Sequence, residues 1–303
     1  METRLKKHQK VIKQYITDTQ FLFHCHIKIK LPIDVGEKYL DECFEIMRTI
    51  DQQYNSYSEG SYFDLINKNA GNWVEVDAET ITMLNHILDI QTLTDGIYNI
   101  GMIPLLKLWG FYDLEINKIP TQESIEKVLT TLKSNYIEIE DHRVRISRTS
   151  EIMTGSFIKA FAVDKVICFL RSKGVSDAIV NAGGSTIYGL NDDEHPYWKI
   201  DIPHFREPDK YGRLFLQNAC FSLSGRKRHF VEIENRKYGH IINAKSGFPS
   251  KNVQAGTITK TAFLGDILST VLMANDNDVF VSQQINKHYG HILLESYVIE
   301  EER

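Results

Sequence analysis

Two oxygen-bearing side chains, those of Asp266 and Thr270, stand four residues apart in a segment with helical periodicity. Residues four apart lie on the same face of an α-helix, so the carboxylate and the hydroxyl point in one direction. Both are hard oxygen ligands, and a Mg²⁺ site uses few protein ligands and completes its coordination with water and phosphate. The pair alone favours a simpler alternative, in which Asp266 caps the helix and Thr270 has no role.

A histidine, His240, lies among apolar residues in the segment 239–243. A histidine side chain titrates near neutral pH, with an unperturbed pKa of about 6.5, and can act as a general base. Such a base predicts a limb of the pH–rate profile near that value. A purely structural histidine is the alternative, because the chain contains 11 histidines.

A turn of Thr154, Gly155 and Ser156 feeds a segment, 157–169, whose apolar residues recur at helical spacing. The free N–H groups at a helix start suit a phosphate, although this turn in isolation is better explained as an ordinary helix start. The paired glycines 183–184 follow a predicted strand and permit close approach of a backbone or a ligand. The chain has no Walker A or G-x-G-x-x-G sequence, so a nucleotide would bind by other means. Ser224 lacks the G-x-S-x-G frame, which excludes a hydrolase nucleophile elbow.

The elements that must position these residues are helices grouped between runs of mostly antiparallel strands. Predicted strands include 19–31, 178–181, 239–243, 253–260 and a closing pair over 291–299, and predicted helices include 36–53, 78–93, 120–133, 263–274 and 278–289. This grouping favours an α+β fold, with mixed and largely antiparallel sheets, over a doubly wound sheet. Without a linker or an internal repeat, residues 1–303 are predicted to form one domain, with 1–18 as an N-terminal extension. The segment 94–111 mixes turn residues with large apolar ones, and we interpret it as lining a ligand site or as a helix with a glycine-rich entry.

The composition is that of an ordinary globular protein, with 42% hydrophobic and 25% charged residues in 303. A net charge of −5 with no long run of one sign argues against nucleic-acid binding. The sequence shows no signal peptide and no apolar run long enough to span a membrane, so a cytoplasmic location is the simplest prediction. His24-Cys25-His26 resembles a metal triplet, but in a strand Cys25 would face away from both histidines, which disfavours a metal there.

In their order and spacing these segments resemble the ApbE family, the FAD:protein FMN transferases, over roughly residues 20–295. The matching segments are 54–57 (Tyr-Asn-Ser-Tyr) with Ser61 and Asn67, 94–99 (Thr-Asp-Gly-Ile-Tyr-Asn) with 104–105 (Pro-Leu) and 108–111 (Leu-Trp-Gly-Phe), Gly155 and Lys159 with 162–165 (Ala-Val-Asp-Lys), 181–184 (Asn-Ala-Gly-Gly), 223–225 (Leu-Ser-Gly), 239–249 and 265–270.

The resemblance implies a reaction. FAD would bind in an extended cleft, with Mg²⁺ at its pyrophosphate to neutralise charge and activate the phosphorus. A threonine or serine hydroxyl of a target flavoprotein would attack, AMP would leave, and FMN would stay attached as a phosphoester. His240 matches the base for that hydroxyl, while Asp266, Thr270 and Ser156 match positions that hold the metal. Lys159 matches a lysine beside the pyrophosphate, and the flavin- or nucleotide-contacting positions are matched by Tyr57, Ile97, Tyr98, Asn99 and Ile242.

The chain also departs from the family pattern. Family aspartates are replaced by Met153, Asn99, Asn243 and Ser185, and a family glycine by Ser156. Loss of the carboxylate at Met153 removes a hydrogen-bond acceptor, which costs about 1–3 kcal/mol if its partner stays buried and unpaired. Three hypotheses follow: Mg²⁺-dependent FMN transfer to protein, hydrolysis of FAD to FMN and AMP, and a non-catalytic flavin-binding protein.

Overall fold

The computed structural model describes residues 13–112, 118–134, 136–204, 211–226, 229–276 and 278–300. Within these ranges the helices are α1 (Ile33–Tyr54), α2 (Tyr62–Lys68), α3 (Ala78–Leu93), α4 (Ile103–Leu108), α5 (Gln122–Ser134), α6 (Ile158–Ser172), α7 (Ala262–Ala274) and α8 (Val279–Tyr289). The strands are β1 (Tyr15–Leu22), β2 (Cys25–Pro32), β3 (Val74–Glu75), β4 (Ile137–Glu140), β5 (Arg143–Ile146), β6 (Ala178–Ala182), β7 (Thr186–Leu190), β8 (Trp198–Pro203), β9 (Tyr211–Leu216), β10 (Ala219–Gly225), β11 (Phe230–Ile233), β12 (Arg236–Gly239), β13 (Asn252–Thr259) and β14 (Leu293–Glu300).

The described residues form a seven-stranded sheet in the order β1-β2-β6-β7-β10-β13-β14, and every neighbouring pair in it is antiparallel. Two-stranded sheets form from β8 with β9 and from β11 with β12, and a three-stranded sheet has the order β3-β5-β4. Helices and antiparallel strands together confirm the predicted α+β class. The predicted extension over 1–18 overlaps β1, because that strand begins at Tyr15.

The core lies between one face of the large sheet and the helices α1, α6 and α7. On β2 the alternating residues Ile27, Ile29 and Leu31 are fully buried, as a strand with one covered face requires. On α6 the buried residues Ala162, Val166 and Leu170 recur at four-residue spacing. Since burying a large aliphatic side chain contributes about 1.5–3 kcal/mol, this apolar layer fixes α6 and α7 against the sheet.

Several sequence-based boundaries were wrong. The segment 19–31 is not one strand, because β1 and β2 form a hairpin whose turn holds Phe23 and His24 at φ 51° and 57°. The metal triplet interpretation also assumed that His24 lies in a strand, whereas it lies in this turn. The closing pair of strands over 291–299 is the single strand β14. The strand predicted over 239–243 is absent among the described residues, since β12 ends at Gly239 and only an isolated bridge joins Ile242 to Pro249.

The predicted bounds of one helix were confirmed. The helix predicted over 78–93 is α3, and Asp77 caps it by accepting a hydrogen bond from the backbone N–H of Thr80 at 2.8 Å. No helix in the described part of the chain combines the length and the apolar character needed to cross a membrane.

Candidate active site

A cleft of about 1910 Å³ opens where β6 and β10 end, beside the β11–β12 hairpin and the segment 94–111. All ten residues singled out from the sequence line it: Tyr57, Ile97, Tyr98, Asn99, Ser156, Lys159, His240, Ile242, Asp266 and Thr270. The segment 94–111 lines the cleft and also contains α4, so both interpretations of that segment hold in part. The cleft exceeds the roughly 300–1,000 Å³ of a site for a drug-sized ligand and could therefore hold a dinucleotide.

An ion pair joins α6 to α7 on the wall of this cleft. Lys159, in the first turn of α6, places its Nζ 2.5 Å from Oδ2 of Asp266 on α7. Burial raises the pKa of the Asp266 carboxyl above its ordinary value, and the neighbouring Lys159 ammonium opposes this rise. The cleft thus presents a nearly buried carboxylate whose charge is balanced by a lysine that reaches the same space.

Asp266 does not cap its helix, so that alternative was wrong. The N-cap of α7 is Thr261, and Asp266 lies five residues further on. The Thr270 hydroxyl donates to the backbone carbonyl of Asp266 at 3.0 Å, which leaves its oxygen lone pairs available to a ligand. Ser224 on β10 lies within hydrogen-bonding distance of Thr270, with 3.3 Å between the hydroxyl oxygens. The predicted orientation of Asp266 and Thr270 toward one space is confirmed by the cleft that both line.

Close approach of α7 to the sheet depends on Gly265. A Cβ atom at this position would lie 2.4 Å from Oγ1 of Thr259 and 2.8 Å from Oγ of Ser222. Contacts that short require the two hydroxyl groups or the helix to move. Glycine next to Asp266 therefore sets how deep the carboxylate sits.

The turn before α6 brings Ser156 to the same cleft. Its Oγ is 2.9 Å from the hydroxyl oxygen of Tyr98, which is buried. Burial raises the pKa of the Tyr98 phenol, so the group stays neutral and can donate to Ser156. Tyr98 therefore orients Ser156 and links the segment 94–111 to the start of α6.

A hydrogen bond orients the imidazole of His240 in the cleft. Its Nδ1 lies 3.2 Å from the backbone carbonyl oxygen of His229. A carbonyl can only accept, so Nδ1 carries the hydrogen and Nε2 is left as the basic nitrogen. Burial, and then the nearby His229 and Lys159, lower the pKa of His240 to about 4. With this lowered pKa, we expect the limb of the pH–rate profile nearer pH 4 than pH 6.5.

The loop after His240 is held by the segment 94–111 and by α7. Trp109 donates its indole N–H to the carbonyl of Gly247 at 2.9 Å. Asn243 accepts from the N–H groups of Lys245 and Ser246 and donates its Nδ2 hydrogen to the carbonyl of Ala274 at 3.0 Å. A carboxylate could not make that last bond, so asparagine at a position where the family pattern has aspartate suits this packing.

The other departures also have local partners. Met153 packs its side chain against the cluster around Trp109 and donates its N–H to Ile100 at 2.9 Å. The Asn99 side chain accepts from the N–H of Gly101 at 2.7 Å, and Ser185 accepts from the N–H of Leu223 at 2.7 Å.

Aromatic residues form the outer wall of the cleft. Tyr57 is 52% exposed, and its hydroxyl oxygen lies 2.8 Å from that of Tyr112. The His24 ring stands edge-on to Tyr57 at 5.8 Å. Ile97 and Ile242 are buried apolar residues of the same cleft. An exposed aromatic face beside apolar side chains suits a flat heteroaromatic ligand.

The donor set fits a small divalent cation. Asp266, Thr270 and Ser156 supply one carboxylate and two hydroxyl oxygens, which are the hard donors that Mg²⁺ takes together with water and phosphate. No group of three or more His, Cys, Asp or Glu residues that could hold a metal ion occurs among the described residues. A metal held by the three oxygen donors named above would complete its coordination with water and a phosphate-bearing ligand.

Sequence reasoning assigned no role to two contributors to the site, although Asp164 lies in the matched segment 162–165. Asp164 on α6 accepts hydrogen bonds from the first backbone N–H groups of α7, and His229 supplies the carbonyl that orients His240. The contacts of Asp164 have no local signal, because its partners are 98 and 99 residues away along the chain. The carbonyl of His229 is 11 residues from His240 and carries no side-chain signal.

The ApbE family model matches residues 23–291. A FAD:protein FMN transferase of Vibrio cholerae is 25% identical over 240 residues, which are 77% of this chain and 72% of the relative. A protein of the same name from Haemophilus influenzae is 23% identical over 260 residues, covering 80% and 74% of the two chains. Among solved structures, the ApbE protein of Thermotoga maritima superposes with a TM-score of 0.80 at 22% identity, covering 95% of this chain and 97% of the other. The apo form of the Pseudomonas stutzeri flavinyl transferase ApbE gives 0.79 at 20% identity, covering 96% and 92%.

The solved structures share the fold of this chain over nearly its whole length, and the family model, which covers most of the chain, defines the class of protein. The chain belongs to the ApbE family. The predicted assignment to the FAD:protein FMN transferase family of enzymes is thereby confirmed.

Proposed function

We propose that this protein transfers FMN from FAD to a threonine or serine hydroxyl of a target flavoprotein, in a Mg²⁺-dependent reaction that releases AMP. The observation that carries the proposal is the convergence of a neutral, oriented histidine with a buried Lys–Asp pair and two hydroxyls in one cleft. The names of the relatives supply the reaction class, and the cleft supplies groups for each part of it.

The reaction needs a base and charge neutralisation. The acceptor oxygen forms a bond to the phosphorus on the riboflavin side of the pyrophosphate, while the bond from that phosphorus to the bridging oxygen breaks and AMP departs with it. The hydroxyl proton goes to Nε2 of His240. Because Nδ1 is hydrogen-bonded to the His229 carbonyl, rotation of the imidazole ring is restrained, and Nε2 stays free to take the proton.

The negative charge of the pyrophosphate would be balanced in part by the ammonium of Lys159, which α6 contributes to the cleft wall. Asp266, Thr270 and Ser156 would hold Mg²⁺, which when bound neutralises phosphate charge and makes the phosphorus more electrophilic. Tyr57, Ile97, Tyr98, Asn99 and Ile242 would contact the flavin or the nucleotide.

The test is incubation with FAD and Mg²⁺, with and without a flavin-free acceptor flavoprotein that carries the target hydroxyl. Chromatography would measure AMP and FMN, and in-gel fluorescence would measure flavin attached to protein. Attached flavin with matching AMP supports transfer. AMP and free FMN in equal amounts without an acceptor indicate hydrolysis, and absence of FAD binding and turnover indicates a non-catalytic protein. The acceptor and the cytoplasmic location stay predictions.

A further inference from the structure

Helix α7, which carries Asp266 and Thr270, begins without help from its own N-cap residue. Thr261 occupies the N-cap position, where a threonine side chain usually accepts a hydrogen bond from the helix. It makes no such bond, and its Oγ1 is buried without a hydrogen-bond partner in the part of the chain that the structure describes.

Asp164 on α6 takes over that role. Its Oδ1 accepts from the N–H of Ala262 at 2.7 Å, and its Oδ2 accepts from the N–H of Phe263 at 2.8 Å. Burial raises the pKa of Asp164 to about 6, although both N–H groups oppose the rise. The cap of α7 is thus supplied by a different helix, α6, at the cost of a buried carboxylate.

What the remote cap adds is a fixed relation between two helices. Asp266 lies about one turn after Ala262, and Thr270 lies about one turn further on. Lys159 lies five residues before Asp164 on α6, and its ammonium contacts Asp266. The two helices are thus joined at two points, one at the start of α7 and one at the carboxylate in the cleft. Because each oxygen of Asp164 takes a different N–H, the contact restrains both the rotation and the axial position of α7.

We infer that Asp164 is a positioning residue for the proposed metal and pyrophosphate site, acting by holding α7 in register with α6. This inference rests on the proposed function. It assigns to Asp164 no contact with substrate, and its effect is carried by Asp266 and Thr270. A misplacement of reacting groups by about 1 Å can cost on the order of 10²-fold in rate.

The experiment compares Asp164→Ala with a matched control, Asp77→Ala. Asp77 also has two hydrogen-bond donors, the N–H of Thr80 at the start of α3 and the Tyr54 hydroxyl, but α3 carries none of the ten site residues. Both variants lose a helix cap and should melt at a lower temperature. Calorimetry would measure the Kd of Mg²⁺ with FAD present, and steady-state kinetics would separate kcat from KM.

Asp164→Ala is expected to weaken Mg²⁺ binding by about 10–100-fold, the range typical of residues that orient metal ligands, and to lower kcat in proportion. Asp77→Ala should leave both values at the wild-type level. Asp164→Asn keeps one accepting oxygen and nearly the same side-chain size. Its Mg²⁺ affinity should therefore fall between those of the wild type and Asp164→Ala.

Equal melting losses in the two alanine variants, with wild-type Mg²⁺ affinity and kcat in Asp164→Ala, would reduce Asp164 to a structural cap. If Asp164→Ala fails to fold, wild-type Mg²⁺ affinity and kcat in Asp164→Asn would have the same meaning. A wild-type protein that binds neither Mg²⁺ nor FAD would overturn the proposed function itself, and the inference with it.

Discussion

Two carboxylates of nearly equal burial occupy very different surroundings. Asp177, 2% exposed, precedes β6 at the end of that strand away from the cleft, and Asp266, 3% exposed, lies on the cleft wall. Asp177 accepts a hydrogen bond from the Tyr15 hydroxyl at 2.6 Å and lies 2.9 Å from Nδ1 of His195 and 3.4 Å from Nζ of Lys13. Asp266 has one ion pair among the described residues, with Lys159.

The difference shows which buried carboxylate can exchange its partner. Three groups from two separate parts of the chain saturate Asp177, so an incoming cation would have to displace all of them. At Asp266 the charge is balanced by the flexible side chain of Lys159. The ammonium of Lys159 borders the cleft, where a bound phosphate could attract it away from Asp266. A buried charge must keep a partner, but one partner can be replaced by another. We therefore expect Asp177 to serve stability and Asp266 to serve ligand binding.

Neutralising each carboxylate in turn should give the largest contrast. Asp266→Asn should reduce Mg²⁺-dependent turnover of FAD by more than about 100-fold, because loss of an outer-sphere partner alone typically costs 10–100-fold. Asp177→Asn should lower the melting temperature while turnover per folded molecule stays at the wild-type level. Turnover assays and thermal melting on the same preparations measure both effects.

Thr270→Ala serves as the graded control, since a neutral hydroxyl contributes less than a carboxylate to a divalent ion. Full Mg²⁺-dependent turnover in Asp266→Asn would place the metal elsewhere and remove the contrast between the two carboxylates.

Removing the imidazole tests the base without touching either carboxylate. His240→Ala should slow transfer by about 10²–10⁴-fold, the usual worth of general-base help, with FAD affinity nearly unchanged. Because the pKa of His240 is lowered to about 4, the wild-type rate should be level through neutral pH and fall only as pH drops through that value. Single-turnover kinetics across pH would check both points.

The same pKa has a consequence for stability. The folded value of about 4 lies below the unfolded value near 6.5, so the unfolded state takes up a proton first as pH falls. His240 should therefore make the protein lose stability between about pH 6.5 and 4, and His240→Ala should remove that contribution. An unchanged transfer rate with a lowered melting temperature would exclude His240 from the mechanism.

A lysine replacement tests whether the partner of Asp266 is exchangeable. Lys159→Met leaves the carboxylate buried without its cation, so Mg²⁺ alone should bind about 10-fold more tightly than to the wild type, and FAD should bind more weakly. In the wild type, FAD should raise Mg²⁺ affinity and Mg²⁺ should raise FAD affinity by the same factor, within the range of about 5–150-fold usual for coupled sites. Calorimetric titration of each ligand with and without the other gives these values. Independent binding of the two ligands, with Mg²⁺ affinity unaltered in Lys159→Met, would mean that Lys159 is a fixed structural partner.

Much of the site could be predicted because its residues occur in the order and at the spacing of the ApbE family pattern. All ten candidates line one cleft. Helices such as α3 could be predicted from the helical periodicity of their apolar residues and from a capping aspartate. The hairpin of β1 and β2 was missed because Phe23 and His24 adopt left-handed backbone angles without a glycine or proline to signal a turn. The pKa of His240 depends on burial and on His229 and Lys159, which only the folded chain brings near it. The network around Asp177 was missed for the same reason, since Tyr15 and His195 are 162 and 18 residues away.

The smallest expected effect concerns that network. Tyr15→Phe removes one hydroxyl that donates to the buried Asp177 carboxylate, and a hydrogen bond to a charged group contributes about 1.5–3 kcal/mol. Lys13 and His195 remain near the carboxylate, so the loss in free energy of unfolding should lie at the low end of that range, with FAD binding unchanged. Urea denaturation measures it, and Tyr57→Phe is the matched control, because the hydroxyl of Tyr57 meets that of Tyr112 at an exposed position and should contribute less. Equal stability losses in the two phenylalanine variants would mean that the hydrogen bond from Tyr15 to Asp177 contributes no more to stability than an exposed one. A weakened FAD affinity in Tyr15→Phe would show that the two ends of the sheet are coupled.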